Sequence, residues 1–309
     1  MSEPIFILGA GAIGTALAVH LTRAGRTVTA LRTSADDIPG QTVEITLADS
    51  EGRKTTAAIE MVSLAQVARL DGIAVVTAKS YANRAIAEQL AAFRFSGPVV
   101  ILQNGVGVEA PFLGLEGARV YRCVLYSTGQ PAGENRYLFA AVRPSPVGVV
   151  RGDATELAAL LARLHTDAFP FVAQDDISQE VWKKASINCV FNSVCPLLDV
   201  DNGIFVRDER AAALARAIVA ECASVMRGQG MRGDESEIMT QLFAISRRTD
   251  GQLISTLQDI NAGRETEIAA LNLEIARLAE GLTPPVSVPL TKGLGELVKL
   301  KAELRRGAA

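Results

Sequence analysis

The stretch Ile5-Phe-Ile-Leu-Gly-Ala-Gly-Ala-Ile-Gly14 sets four apolar residues directly before a G-x-G-x-x-G pattern. Apolar residues then recur at helical spacing (Ile13, Leu17, Leu21) as far as Gly25, a natural glycine for a helix C-terminus. A short strand, a glycine turn and a helix are therefore expected in that order. In that context each glycine has its own use. Gly9 permits the tight turn, Gly11 lets a pyrophosphate approach the backbone, and Gly14 lets helix and strand pack closely. The helix N-terminus, reached through Ala10, Ala12 and Ile13, offers N–H groups and a partial positive charge to phosphates. The plainer alternative is a glycine turn that serves packing alone.

Outward from the turn, Thr27–Leu31 reads as a β-branched second strand ending at Arg32, 18 residues after Gly14. An acidic residue there would bind a ribose 2′-hydroxyl and select NAD, whereas arginine suits a 2′-phosphate, with Thr33 and Ser34 adding hydroxyls. NADP(H) is the expected cofactor. Thr42–Leu47 and Lys54–Ile59 alternate, Ser63–Leu70 reads as helical, Gly72–Thr77 as a buried strand, Asn83–Phe93 as a helix and Pro98–Leu102 as a strand. Alternating strands and helices predict an α/β, Rossmann-type, doubly wound parallel sheet. Short strands with Gly and Pro between Val120 and Val150 predict an antiparallel extension of it. Residues 1–173 are assigned to this NADP-binding domain. From Gln174 onward, segments starting at Asp176, Arg207, Ser236 and Thr266 are helical and rich in Ala, Leu and Ile. They predict an all-α C-terminal domain over 174–309, with a site expected where the two domains meet.

The 309 residues suffice for two domains, and 49% apolar with 21% charged residues is ordinary for a soluble globular protein. A net charge of −3 gives no basic face for nucleic acid or an anionic membrane. The N-terminal apolar stretch lacks a basic leader and is too broken by glycine for a membrane span, so no targeting segment is expected. Cys123, Cys189, Cys195 and Cys222 form no C-x-x-C pair and lie in apolar surroundings. They predict buried thiols of a cytoplasmic protein and no metal site.

Two strand ends carry further polar groups. Thr77-Ala-Lys79 and Gln103-Asn104-Gly-Val-Gly107 both follow strands of the parallel series, where ligands bind in open α/β sheets. Lys79 can hold a phosphate, a ribose or a carboxylate, or be a surface lysine. Asn104-Gly105 can equally be a simple turn. In the helical region, Trp182-Lys-Lys-Ala-Ser-Ile-Asn-Cys-Val-Phe-Asn192 puts Lys184, Asn188 and Asn192 four residues apart. On a helix these form one polar face in an apolar run, which is costly unless something satisfies it. Lys183, one step off that face, reads as a solvated lysine. Further on stand Ser255-Thr-Leu-Gln-Asp259 and Glu267, the latter expected in the first turn of a helix with Ile268, Leu271, Ile275 and Leu278 on its apolar side.

Taken in order, these residues resemble the 2-dehydropantoate 2-reductase (ketopantoate reductase) family over nearly the whole chain. The resemblance rests on the glycine motif, Leu31-Arg32, Lys79, Gln103–Gly107, the W-x-K-x-x-x-N-C-x-x-N pattern at 182–192, Asn202-Gly203, and S-x-L-Q-D-I…T-E-I at 255–268. It implies a helical C-terminal domain like that of 6-phosphogluconate dehydrogenase. It also implies that Lys184 is the proton donor to the ketone, that Glu267 assists at the reacting oxygen, and that Asn188, Asn192, Asn202 and Ser255 bind substrate. Gly9, Gly11, Gly14, Arg32, Lys79 and Asn104 fall on the cofactor side. The reaction implied is NADPH-dependent reduction of 2-dehydropantoate to (R)-pantoate on the route to coenzyme A. Reduction of another branched 2-oxo acid is the nearest rival reading, and a non-catalytic NADP-binding sensor the remote one. The partners implied are a small 2-oxo acid and, in assembly, a homodimer, with no nucleic acid or membrane.

Overall fold

The computed structural model describes residues 3–33 and 39–307. Ser34, named above for its hydroxyl, lies outside the described residues. The chain divides into two compact units: Met1–Gln103 with Val108–Ile177, and Asn104–Gly107 with Ser178–Ala309.

The first unit is built on strands β1 (Ile5–Leu8), β2 (Val28–Arg32), β3 (Gln41–Ala48), β4 (Lys54–Ser63), β5 (Ile73–Val76), β6 (Pro98–Ile101), β7 (Arg119–Cys123), β8 (Ser127–Gly133), β9 (Arg136–Ala141), β10 (Ser145–Arg151) and β11 (Phe171–Ala173). They form one sheet in the order β11-β10-β7-β6-β5-β1-β2-β4-β3-β9-β8. The run from β7 through β4 is parallel throughout. Its central strands β5 (IAVV) and β6 (PVVI) are buried at every position, as strands covered on both faces must be. β4 instead alternates, because its outer face meets water.

The antiparallel additions sit at both edges. β10 runs against β7, while the β8–β9 hairpin crosses to the far edge and lies beside β3. β7, expected within the antiparallel part, belongs to the parallel run through its pairing with β6. Ser63–Leu70 is not a helix. Ser63 is still in register with Arg32 on β2, only Leu64–Gln66 makes a single 3₁₀ turn, and sheet pairing overrides the local periodicity.

Helices α1 (Ala12–Arg23), α2 (Asn83–Ala92) and α3 (Leu157–Leu164) cover this sheet. α1 ends as its sequence predicts. Gly25 (φ 75°) follows it, with Gly25 N–H donating to Thr22 O and Arg26 N–H to Leu21 O, both at 3.0 Å. Leu17 and Leu21 on α1 join Ile5, Ile7, Val75 and Phe139 in one core in which each fully buried side chain contributes roughly 1.5–3 kcal/mol.

The second unit holds α4 (Ile177–Leu198), α5 (Ile204–Arg207), α6 (Glu209–Gly228), α7 (Glu235–Arg248), α8 (Ser255–Asn261), α9 (Asn272–Glu280) and α10 (Pro289–Gly307). Among the described residues no helix is long and apolar enough to cross a membrane. Acidic side chains start several of these helices. Asp208 accepts from the N–H groups of Arg210 and Ala211, Asp234 from Glu237, and Glu221 on α6 from Leu290 and Thr291 of α10. Asn272 ties three helices, its Nδ2 donating to Cys189 O and Thr291 O, each at 3.3 Å.

Lys183 is not the solvated residue expected from its place beside Lys184. It is 7% exposed, and its ammonium meets Glu180 Oε1 at 2.5 Å and Glu237 Oε1 at 2.8 Å, tying α4 to α7. Burial alone would lower its pKa. The hydrogen bonds and charges of the two glutamates outweigh burial and raise it above the ordinary lysine value of 10.5. Lys183→Met should therefore cost about 1–3 kcal/mol in urea denaturation, less than a fully buried broken pair because Glu237 keeps 41% exposure. A folded-state pKa above the unfolded one gives stability that is complete below pH 10.5 and lost as pH rises through the raised value. The variant should thus lack the wild-type fall in stability above that pH.

Candidate active site

The glycine turn is shaped by close approach. Gly9 has φ +123°, and a Cβ there would lie 2.3 Å from Ala78 N. A Cβ on Gly14 would lie 2.0 Å from Gly9 O and 2.4 Å from Thr77 Oγ1, so α1 packs on the sheet only because this residue has none. Thr77, which the sequence marks only as part of Thr77-Ala-Lys79, locks the turn by donating from Oγ1 to Gly9 O at 2.7 Å. Gly11 differs. It is exposed, and an added Cβ would meet nothing within 4 Å. Gly11, at the N-cap of α1, has no side chain to cap the helix, and the first turn carries no acid. Ala10, Ala12 and Ile13 are partly exposed around it. A twelve-residue helix that begins beneath an open glycine presents N–H groups and a partial positive charge, which suit a phosphate.

Arg32 stands at the end of β2, next to that turn on β1. Its Nη2 reaches only Met61 Sδ, at 3.7 Å, and its Nη1 is buried with no hydrogen-bond partner among the described residues. A guanidinium with a poorly satisfied buried N–H suits an anionic ligand. Lys79 follows β5 at the start of a short 3₁₀ turn, partly exposed.

In the second unit the decisive element is α4. From Val181 to Pro196 every residue is buried except Lys184 and Asn188. The expected polar face is real, but its third member is spent internally. Asn192 is 4% exposed, donates from Nδ2 to Asn188 O at 3.0 Å, and accepts at Oδ1 from Thr256 Oγ1 at 2.7 Å. Thr256 thereby hangs α8 on α4, one residue after Ser255, which is exposed in the first turn of α8. Only the structure reveals this link, because 64 residues separate its partners.

Asn202 is 6% exposed, and its Oδ1 is buried without a hydrogen-bond partner among the described residues. Its loop is held rigidly. Asn202 O accepts from Ser246 Oγ at 2.7 Å, and Asp201 Oδ1 accepts from Gly203 N–H at 2.7 Å and Gly251 N–H at 3.2 Å. Arg207 beside it, then those backbone bonds, hold the Asp201 carboxyl down to about 2.

Glu267 is not in the first turn of a long helix. It precedes a 3₁₀ turn, Ile268–Ala270, after which Leu271 (φ −113°, ψ −104°) breaks the chain before α9 begins at Asn272. The periodicity of Ile268, Leu271 and Ile275 reflects burial on either side of that break. Irregularity here has a partner. Ala270 O accepts from Val106 N–H at 3.1 Å, and a Cβ on Gly105 (φ +101°) would lie 2.4 Å from that oxygen. The segment carrying Asn104 is thus seated on the turn that follows Glu267.

Comparison with known proteins shows the family of the chain. Residues 5–147 match the family model described as Ketopantoate reductase PanE/ApbA, and residues 176–302 match Ketopantoate reductase PanE/ApbA C terminal. A 2-dehydropantoate 2-reductase of Caulobacter vibrioides is 31% identical over 92% of this chain and 95% of its own. Another, of Mesorhizobium japonicum, is 26% identical over 93% and 95%. Among solved structures, a D-mandelate dehydrogenase with NADH and anilino(oxo)acetate superposes with a TM-score of 0.83 at 22% identity, covering 98% of this chain and 99% of that one. A PanE/ApbA family ketopantoate reductase from Ralstonia eutropha gives 0.82 at 24% identity, with the same coverage.

Gly11 and Gly14 make opposite predictions. Gly14→Ala should lower stability by about 1–3 kcal/mol through overpacking against backbone. Gly11→Ala should leave the melting temperature near wild type while weakening dinucleotide affinity. Calorimetry with a dinucleotide titration separates the two, and a Gly11→Ala chain that binds as wild type would refute the cradle.

Proposed function

Because the chain belongs to the ketopantoate reductase family, we propose that it reduces 2-dehydropantoate to (R)-pantoate with NADPH, a step toward pantothenate and coenzyme A. The observation that carries this reading is the opening of the otherwise buried helix α4 at Lys184 and Asn188 alone. The dinucleotide fits the first unit. The Gly9–Gly14 cradle is open above Gly11, Arg32 has a buried N–H to offer a 2′-phosphate, and no acid ends β2 to favour an unphosphorylated ribose. Lys79 and Asn104 complete the cofactor side.

NADPH, when bound, supplies the hydride for the ketone carbon. Negative charge then builds on the ketone oxygen, where the Lys184 ammonium stabilises it and donates the proton. Glu267 orients that lysine and the new hydroxyl. Asn188 offers a carboxamide to the substrate's polar groups, Ser255 donates to its carboxylate, and the unpartnered Asn202 Oδ1 accepts from a hydroxyl. Asn192 has its oxygen and one N–H engaged already, so its part is to hold α8, and with it Ser255, against α4. Four buried thiols, none in a disulfide among the described residues, suit the reducing cytoplasm, where we place the enzyme.

Oxidation of NADPH followed at 340 nm with 2-dehydropantoate, set against a panel of branched and aromatic 2-oxo acids, tests the substrate. The highest kcat/KM should fall to 2-dehydropantoate, and a clear preference for another 2-oxo acid would replace it. Arg32→Ala should weaken NADPH far more than NADH, by about 1.5–3 kcal/mol for a lost charge-assisted hydrogen bond. Equal losses for both would rule out the 2′-phosphate contact.

Lys184→Ala should act on chemistry. General acid catalysis is worth about 10²–10⁴-fold, and the loss should fall on kcat while NADPH affinity stays near wild type. Lys183→Met, assayed below its melting point, is the control that should keep its kcat. If the two lysine variants lose kcat alike, the proton donor has been misassigned.

A further inference from the structure

Two buried carboxamides join the loops that follow β5 and β6. Asn83, the first residue of α2, is 3% exposed and Gln103, two residues past β6, is 7% exposed. Their side chains close a ring. Asn83 Nδ2 donates to Gln103 Oε1 at 2.7 Å, and Gln103 Nε2 donates to Asn83 Oδ1 at 2.6 Å. The remaining N–H of each is also used, Gln103 Nε2 donating to Ala78 O at 2.5 Å and Asn83 Nδ2 to Val108 O at 2.8 Å. Turning either amide over would set its oxygen against a backbone carbonyl oxygen, so the network itself fixes both orientations.

The backbone groups gathered by this ring are informative. Ala78 immediately precedes Lys79, Gln103 immediately precedes Asn104, and Val108 immediately follows Gly107. One pair of side chains thus fastens the chain next to Lys79 and at both ends of the Asn104–Gly107 segment. The pair keeps no N–H for a ligand. A buried amide pair is favourable only when complete, so losing one member strands the other and frees both loops together.

We propose that Asn83 and Gln103 are positioning residues for the nicotinamide cofactor, fixing the backbone at Ala78, next to Lys79, and at Gln103, next to Asn104. This rests on the reading of those two residues as cofactor-side groups. A displacement of about 1 Å at such a site costs on the order of a hundredfold in rate, which is what the ring prevents.

The test is a double-mutant cycle of Asn83→Leu and Gln103→Leu. NADPH affinity by fluorescence titration, kcat and KM are measured at a temperature where circular dichroism shows each variant folded. Either single variant should lower kcat and weaken NADPH by about ten- to a hundredfold, and the double variant should be no worse than the poorer single, because one ring is lost once. KM for the 2-oxo acid should move less.

Gln103→Glu supplies a readout that a merely structural role would not move. Its carboxylate would face Ala78 O, and only the protonated form can donate, so kcat/KM should recover as pH falls, against the wild-type profile. Folded leucine variants that bind NADPH and turn over like wild type overturn the inference, as does a Gln103→Glu pH profile parallel to wild type. An unaltered chain that binds no NADPH overturns the cofactor reading and this inference with it, a result seen without any variant.

Discussion

Helix α4 has no solvent face between Val181 and Pro196 apart from Lys184 and Asn188, and the helical unit is organised by that constraint. A helix buried all round must satisfy each of its polar groups within the protein. Ser186 and Ser193 do so by donating back to Trp182 O and Cys189 O, at 2.9 and 2.6 Å. Lys183 does so through two glutamates, and Asn192 through Thr256. The last two also fasten neighbours to α4, α7 through Glu237 and α8 through Thr256, and Asn272 adds α9 and α10 at Cys189 O. The Lys184 ammonium and the Asn188 carboxamide are the groups that this scaffold leaves partly open.

The first unit obeys a different constraint, the distance between backbone atoms. Gly9 and Gly14 exist where any Cβ would strike Ala78 or Gly9 O, and Thr77 closes the turn from the neighbouring strand. Beyond them the parallel strands β5 and β6 deliver two loops whose spacing is set by one ring of amides. Rigid elements thus supply position in both units, and the chemical groups are mounted at their ends.

Much of this was legible from local pattern. The strand–glycine–helix opening, the helix over α4 and the four-residue spacing of Lys184, Asn188 and Asn192 all depend on neighbours within a few residues. What escaped depends on distant partners. Lys183 looked solvated because Glu237 is 54 residues away, although Glu180, one turn earlier, was a signal that could have been used. Asn192 looked like a ligand group because Thr256 is farther still. Ser63–Leu70 has helical periodicity, but β2 recruits Ser63 into the sheet. Glu267 was placed in a helix because the burial of Ile268, Leu271 and Ile275 mimics one, whereas the turn between them is shaped by Val106 reaching Ala270 O. The amide ring left no local trace, since Asn83 and Gln103 are 20 residues apart on different elements.

The central claim, that this chain passes a hydride from NADPH to the carbonyl carbon of 2-dehydropantoate, is tested most directly by following the atom itself. NADPH carrying deuterium at both C4 positions is incubated with the purified chain and 2-dehydropantoate, and the product is analysed by mass spectrometry and proton NMR. The account predicts (R)-pantoate bearing one deuterium at C2, formed in step with NADPH oxidation. NADPH consumed without pantoate, or pantoate formed without the label, would contradict it.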